Sequence, residues 1–175
     1  EVTVYCHDMA NDPREYLTLA NTNGPFNFSQ YTAGGASPGT DVRTYYYKLR
    51  FYPSTFLVDV KDQTFSPSSG ELVHAQGGPV TSMPYAVAAD CLDFGSTAGV
   101  ANIDLRGTPF AVADTFIVQG FFPAGNAFFS SSNQVVEVTG GGYCGGTAPG
   151  SFGVLSGQSA LELQFSFVGA TEPPP

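Results

Sequence analysis

Charged side chains are scarce in this sequence: only 12% of its 175 residues are Asp, Glu, Lys or Arg, against about 25% in an average soluble domain. Lys and Arg number six against 15 Asp and Glu, which gives a net charge of -9. Nucleic acids and anionic membrane surfaces are both bound through Lys and Arg. The composition therefore predicts no nucleic-acid partner and no attachment to an anionic membrane.

Long apolar runs are also missing. No stretch of 18 apolar residues occurs, so we expect no membrane insertion. The first residues, 1–5, alternate like a strand and lack the basic and apolar regions of a signal peptide. We expect any such peptide to have been removed or to lie outside this chain.

The motifs of common catalytic and metal sites are absent. The sequence contains no Gly-x-Ser-x-Gly, no His-Glu-x-x-His and no EF-hand loop. Its three cysteines are separated by 85 and 53 residues, which fits no zinc-ligand spacing. We therefore expect no enzyme, no cofactor and no metal. Calcium binding by scattered Asp residues and carbonyl groups stays open.

The residues that are present predict an all-β domain. Short segments rich in β-branched and aromatic residues alternate with Gly, Pro, Ser and Asn, and no room is left for a long helix. Such a pattern is typical of a compact antiparallel β-sandwich or a barrel-like fold. Residues 42–52 are predicted to be one strand that pairs with 56–60, and residues 139–151 are predicted to be a glycine-rich loop.

The C-terminal region combines a strand with a proline-rich tail. Its apolar residues alternate with polar ones over 160–167, and the consecutive prolines that follow favour an extended polyproline segment. We expect a β domain over 1–168 and a tail or linker over 169–175. The strand completes its own sheet or is donated to another copy. The candidates for self-association are Leu161, Leu163, Phe165, Phe167, Pro173, Pro174 and Pro175.

Three short motifs carry a resemblance to a known family. They are the Cys6-His7-Asp8-Met9 segment with the Pro13–Leu19 string that follows it, the Ala88–Cys91 segment, and the Gly141–Gly146 segment around Cys144. In this order the motifs resemble the GON domain, a cysteine-bearing extracellular module found in secreted thrombospondin-repeat metalloproteases and in other extracellular proteins. GON domains carry further cysteines where this chain has Gly140 and Thr147. The resemblance implies a secreted module without catalytic residues of its own.

The resemblance also implies that Cys6, Cys91 and Cys144 are disulfide positions. One disulfide among three cysteines allows three pairings and leaves one thiol unpaired. We expect the bond to involve Cys6, because this cysteine lies nearest a chain end and would tie down a terminal strand. Cys144 is narrowly preferred over Cys91 as its partner.

Asn27-Phe28-Ser29 is the only Asn-x-Ser/Thr sequon. In a secreted eukaryotic protein Asn27 would be a candidate for N-glycosylation on an exposed loop.

Two functional hypotheses follow. The first is a non-catalytic structural or adhesion module that contacts an extracellular protein, a glycan or copies of itself, and that assembles into a fibre through its C-terminal segment. The second is a secreted hydrolase that uses paired carboxylates such as Asp59 and Asp62, which would have to face each other across a cleft. Service as an accessory domain of a secreted metalloprotease is a further alternative.

Overall fold

The computed structural model describes residues 2–150 and 160–166, and all its regular elements within these residues are β-strands. The predicted all-β class is therefore confirmed. The described residues contain no helix that is long and apolar enough to cross a membrane.

One sheet has six strands, all paired in an antiparallel manner. In spatial order they are β1 (Tyr5–His7), β2 (Arg14–Thr18), β5 (Lys48–Tyr52), β6 (Leu57–Asp59), β15 (Ala160–Phe165) and β12 (Phe110–Val112). The pairing of β5 with β6 is the hairpin that the sequence predicts.

A second sheet has seven strands, six of them along its main path. In spatial order they are β10 (Ala88–Asp90), β14 (Val135–Pro149), β11 (Gly99–Asp104), β3 (Phe28–Thr32), β4 (Val42–Tyr45) and β7 (Ser68–Ser69), with β13 (Phe116–Ser130) paired to β14 off this path. β10 also pairs with β3, in parallel, so that β3, β10, β14 and β11 close into a ring. This parallel pair is the exception to the predicted antiparallel arrangement among the described strands. A separate two-stranded hairpin joins β8 (Leu72–Val73) to β9 (Pro79–Val80).

One hydrophobic core receives side chains from both large sheets. Its bulkiest fully buried members include Tyr16, Tyr46, Tyr85, Phe51 and Phe110, and burying a large apolar side chain contributes about 1.5–3 kcal/mol. The buried tyrosine hydroxyls find partners: Tyr46 donates to the carbonyl of Met83 and Tyr85 donates to Asn27. Burial raises the pKa of both Tyr46 and Tyr85, which keeps these hydroxyls protonated and able to donate.

The segment 42–52 is two strands and not one. β4 ends at Tyr45 in the seven-stranded sheet, and β5 begins at Lys48 in the six-stranded sheet. Tyr46, which lies between these two strands in sequence, has a buried side chain. The prediction of one continuous strand is therefore wrong, because the chain crosses here from one sheet to the other.

The C-terminal strand β15 lies inside its own sheet, between β6 and β12. Leu161 and Leu163 are buried in the core, whereas Phe165 is partly exposed. The first two side chains are therefore used within the domain, which contradicts their assignment to self-association. Phe167, Pro173, Pro174 and Pro175 lie outside the described residues, and the boundary between 1–168 and 169–175 stays a prediction.

Candidate binding site at the bend of the long hairpin

The two longest strands, β13 and β14, form a hairpin that folds back on itself. At about 3.3 Å per residue, a straight strand would separate Phe116 from Phe129 by roughly 40 Å. The centroids of the two rings are only 5.8 Å apart. The hairpin therefore bends sharply between these two residues.

The glycines of β14 allow this bend. A Cβ atom on Gly140 would lie 2.4 Å from the backbone nitrogen of Thr147, and one on Gly145 would lie 2.7 Å from the carbonyl oxygen of Gly141. No side chain can occupy such short distances. The glycine-rich segment 139–151, predicted to be a loop, is thus strand as far as Pro149, and close backbone packing explains its composition.

A buried carboxylate fastens the bend to the neighbouring loop. Asp90 is fully buried at the end of β10. Its oxygens accept hydrogen bonds from the backbone N–H of Gly142 (2.9 Å), the backbone N–H of Ala98 (2.8 Å) and the hydroxyl of Ser96 (2.8 Å). A Cβ atom on Gly141 would lie 1.9 Å from this carboxylate. The Asp-Cys and Gly-Gly-Tyr-Cys motifs are therefore two halves of one structural contact.

A disulfide joins the same two segments. It links Cys91, directly after β10, to Cys144 in the middle of β14. Cys6 is free and exposed on β1, where it is paired in register with Glu15. The expectation that Cys6 forms the disulfide is therefore wrong. The pairing of β10 with β14 brings Cys91 next to Cys144, and the separation of the cysteines in sequence does not reveal this pairing.

Four aromatic rings lie exposed around this bend, and we refer to Phe94, Phe121, Phe122 and Tyr143 as the aromatic cluster. Ring centroids are 5.6 Å apart for Phe94 and Phe122, 4.6 Å for Phe121 and Phe122, and 5.8 Å for Phe121 and Tyr143. The exposed fraction is 75% for Phe94, 59% for Phe121, 54% for Phe122 and 52% for Tyr143. Contiguous exposed apolar surface of this kind marks interaction sites.

The backbone at the cluster is strained. Phe122 has a φ of 45°, a left-handed conformation that is a true outlier for a bulky residue. It has no partner in the register between β13 and β14, in which Phe121 lies opposite Cys144 and Pro123 lies opposite Gly142. The register is the same on both sides of this position, so Phe122 lies opposite Tyr143 at a single unpaired step of the ladder, and neither strand carries an extra residue. Strain of this kind costs about 1–3 kcal/mol and is concentrated at functional sites.

A cavity of about 460 Å³ opens beside the disulfide, and we call it the disulfide cavity. Tyr31 and His74 lie on one side of it, and Cys144 lies on another. The rings of Tyr31 and His74 meet edge to face, with centroids 6.0 Å apart. No sequence motif groups His74 with the cysteines. The full lining is Tyr31, His74, Val87, Ala89, Gln119, Gly120, Cys144, Gly145, Gly146 and Ala148.

The sequon asparagine is buried and not exposed. The Asn27 amide nitrogen donates to the carbonyl oxygens of Asn21 (2.7 Å) and Asp104 (2.8 Å), and its oxygen accepts from the Tyr85 hydroxyl (2.6 Å). A glycan on this nitrogen would break the network and has no space in the core. The assignment of Asn27 as a glycosylation site is therefore wrong for the folded domain. Asn27 lies directly before β3, and its hydrogen bonds hold this strand against the segment around Asp104.

The proposed carboxylate pair lies in a single turn. The backbone N–H of Asp62 donates to the carbonyl of Asp59. The Asp59 side chain accepts from the backbone N–H of Lys61, and the Asp62 side chain accepts from Tyr16 and contacts Arg14. These contacts stabilise the turn. They do not place the two carboxylates on opposite walls of a cleft, as a glycosidase requires.

The family model of the GON domain matches residues 36–158, more than two thirds of the chain. The matched range contains the Asp90–Cys91 and Gly141–Gly146 motifs and begins after the N-terminal motif. It confirms the resemblance drawn from these motifs. Comparisons with curated proteins and with solved structures gave no match.

Proposed function

Because the chain belongs to the GON domain family, an extracellular type of module, we propose that it is a secreted, non-catalytic binding module that contacts its partner through the aromatic cluster. The observation that carries this proposal is the exposure of four neighbouring aromatic rings at a strained bend. Aromatic residues dominate the energetic centres of protein interfaces. The disulfide supports the assignment to an oxidising, extracellular compartment.

The way in which the cluster is held supports binding. Its rings come from the loop after β10, from β13 and from β14. The disulfide and the Asp90 carboxylate join the first of these segments to the third. A site held in this way loses little conformational entropy on binding, which increases its affinity.

The geometry of the rings favours a protein partner over a glycan. The planes of contacting rings are inclined to one another by 53–88°, so the cluster forms a ridged surface and not a flat platform. Tilted rings leave clefts that apolar side chains fill, whereas the face of a sugar ring packs best on a flat aromatic plane. Contact between copies of the chain through this cluster is a second form of protein binding.

The first experiment is a selection from a library of random 12-residue peptides displayed on phage, with the folded domain immobilised. We expect apolar, aromatic-containing peptides to be enriched and to shift the backbone amide NMR signals of residues 94, 121, 122 and 143. Soluble chitin and cellulose fragments are titrated in parallel, and light scattering reports self-association.

The proposal fails if the selected peptides shift signals elsewhere and leave the cluster unchanged. A response to the sugar fragments alone would replace the protein partner by a glycan. Peptide-free dimers that shift the cluster signals would identify the partner as a second copy.

A further inference from the structure

The two sulfur atoms of the disulfide lie in different surroundings. Cys144 is partly exposed and lines the disulfide cavity. Cys91 is only 1% exposed and lies beneath it. A thiolate that enters the cavity can therefore reach the sulfur of Cys144, whereas the sulfur of Cys91 is shielded.

The shielded sulfur has a hydrogen-bond donor beside it. The Tyr31 hydroxyl lies 2.9 Å from the Cys91 sulfur and 3.1 Å from the hydroxyl of Ser37. A disulfide sulfur carries no hydrogen, so Tyr31 donates to Cys91 and accepts from Ser37. Burial raises the pKa of Tyr31, which keeps this donor protonated. The imidazole of His74 also lies close, with a ring nitrogen within 4.8 Å of both sulfur atoms.

From this asymmetry we infer that the Cys91–Cys144 disulfide is a thiol-exchange site, at which a small neutral thiol bonds to Cys144 and releases Cys91. The incoming thiolate sulfur forms a bond to the Cys144 sulfur as the Cys91–Cys144 bond breaks. The electron pair of the broken bond passes to Cys91, which leaves as a thiolate and then takes a proton from solvent. One disulfide replaces another, so no further oxidant or reductant is required.

Tyr31 assists the step because it stabilises the leaving group. Exchange is faster when the departing sulfur is a better leaving group. A hydroxyl already aimed at the Cys91 sulfur can donate to the thiolate as its charge develops, and hydrogen bonds to charged groups are the stronger ones. Tyr31 is thus a positioning and stabilising residue for the exchange.

The cavity also selects the thiol by charge. None of the residues that line it is Asp, Glu, Lys or Arg, and the whole chain carries a net charge of -9. An anionic thiol meets an unfavourable potential and no cation in the cavity. A neutral thiol of similar size meets neither obstacle.

The test uses the full chain with Cys6→Ser, which removes the exposed free thiol. Folded protein is incubated with 2-mercaptoethanol, the reaction is stopped with acid, and the protein is then unfolded in denaturant, alkylated with N-ethylmaleimide and mapped by peptide mass spectrometry. We expect mercaptoethanol on Cys144 and maleimide on Cys91. The anionic analogue 2-mercaptoethanesulfonate should react several-fold more slowly after correction for the thiol pKa.

Two matched variants separate local exchange from exchange through unfolding. Tyr31→Phe removes the hydroxyl beside Cys91 and should slow the reaction about tenfold, the effect expected from one hydrogen bond to a charged group. Tyr85→Phe removes a buried hydroxyl that donates to Asn27 instead, and it should leave the rate unchanged. If exchange required unfolding, both variants would react faster than the parent, because both destabilise the fold. That result, or mercaptoethanol found on Cys91, would overturn the inference.

Discussion

The protein contains two clusters of aromatic rings that have similar centroid distances and differ in their exposure. In the six-stranded sheet, Phe51, Phe56, Phe110 and Phe165 pack with neighbouring centroids 4.9–6.3 Å apart, and Phe51 and Phe110 are fully buried. In the aromatic cluster the corresponding distances are 4.6–5.8 Å, but all four rings are exposed. Ring contacts alone therefore do not reveal the role of a cluster. Burial does, because the fully buried rings of Phe51 and Phe110 stabilise the fold, whereas the exposed rings of the aromatic cluster form the surface that we propose for the partner.

The largest effect on stability should come from the buried cluster. Phe110→Ala removes a fully buried ring and leaves a cavity, so the free energy of unfolding should fall by about 3–5 kcal/mol. Urea unfolding monitored by circular dichroism measures the change. A loss below about 1 kcal/mol would mean that this cluster does not support the fold.

Removal of the disulfide should lower both the stability of the fold and the affinity of the aromatic cluster for peptides. The bond closes a loop with a sequence separation of 53 residues, for which the chain-entropy model gives about 4 kcal/mol. The Cys91→Ala/Cys144→Ala double variant should lose about that much stability, and its affinity for cluster-binding peptides should also fall because Phe94 and Tyr143 are no longer tied together. Cys6→Ser is the matched control and should leave both quantities unchanged. Equal peptide affinity in the double variant and in the control would show that the disulfide does not organise the cluster.

Acid should lower the stability of the fold through protonation of Asp104. Burial alone would raise the pKa of this carboxyl, but hydrogen bonds and the charge of Arg106 outweigh it and hold the pKa below its usual range. A lowered pKa in the folded state contributes stability above the ordinary value, about 3.9, and this stability is lost as the pH falls through the folded value. Arg106→Leu should therefore be less stable than the parent at pH 7, and the gap should close in strong acid. A gap of the same size at pH 7 and pH 2.5, measured by urea unfolding, would refute this account.

A substitution in the aromatic cluster should weaken binding without lowering stability. Phe122→Gly removes an exposed ring and relieves the strain of a positive φ, so stability should stay unchanged or rise by about 1 kcal/mol. Binding of the selected peptides should weaken at the same time. A loss of more than 1 kcal/mol would mean that the Phe122 ring supports the fold.

The sequence predicts those parts of the fold that follow local alternation. The strand at 160–165 and the hairpin of 48–52 with 57–59 obey a period of two, because one face of each is buried. The break at Tyr46 was missed because alternation continues across it while the chain changes sheets. The sequence predicts a loop in place of the bend in β14, because local alternation does not explain its glycines. Gly141 packs against Asp90, which is distant in sequence, and Gly140 packs against Thr147 across the bend of the same strand.

The site is harder to predict than the fold, for a physical reason. Phe121 and Phe122 are adjacent, and in a regular strand one of them would face the core. Both are exposed, and Phe122 has a φ of 45° at an unpaired step of the ladder. Nothing local in the sequence specifies this conformation. The grouping of Tyr31 and His74 with the disulfide likewise depends on the pairing of β10 with β3 and β14. Only the cysteine and glycine motifs, through their resemblance to the GON domain, pointed to this region.

The most direct test compares two phenylalanines of the same strand that are equally exposed. Phe121 is 59% exposed within the aromatic cluster, and Phe128 is 58% exposed on β13 outside it. Isothermal titration of the selected peptides should show at least a tenfold loss of affinity for Phe121→Ala and less than a twofold change for Phe128→Ala, with the stability of both variants within about 0.5 kcal/mol of the parent. Equal losses in the two variants, or none in either, would contradict the claim that the aromatic cluster is the binding surface.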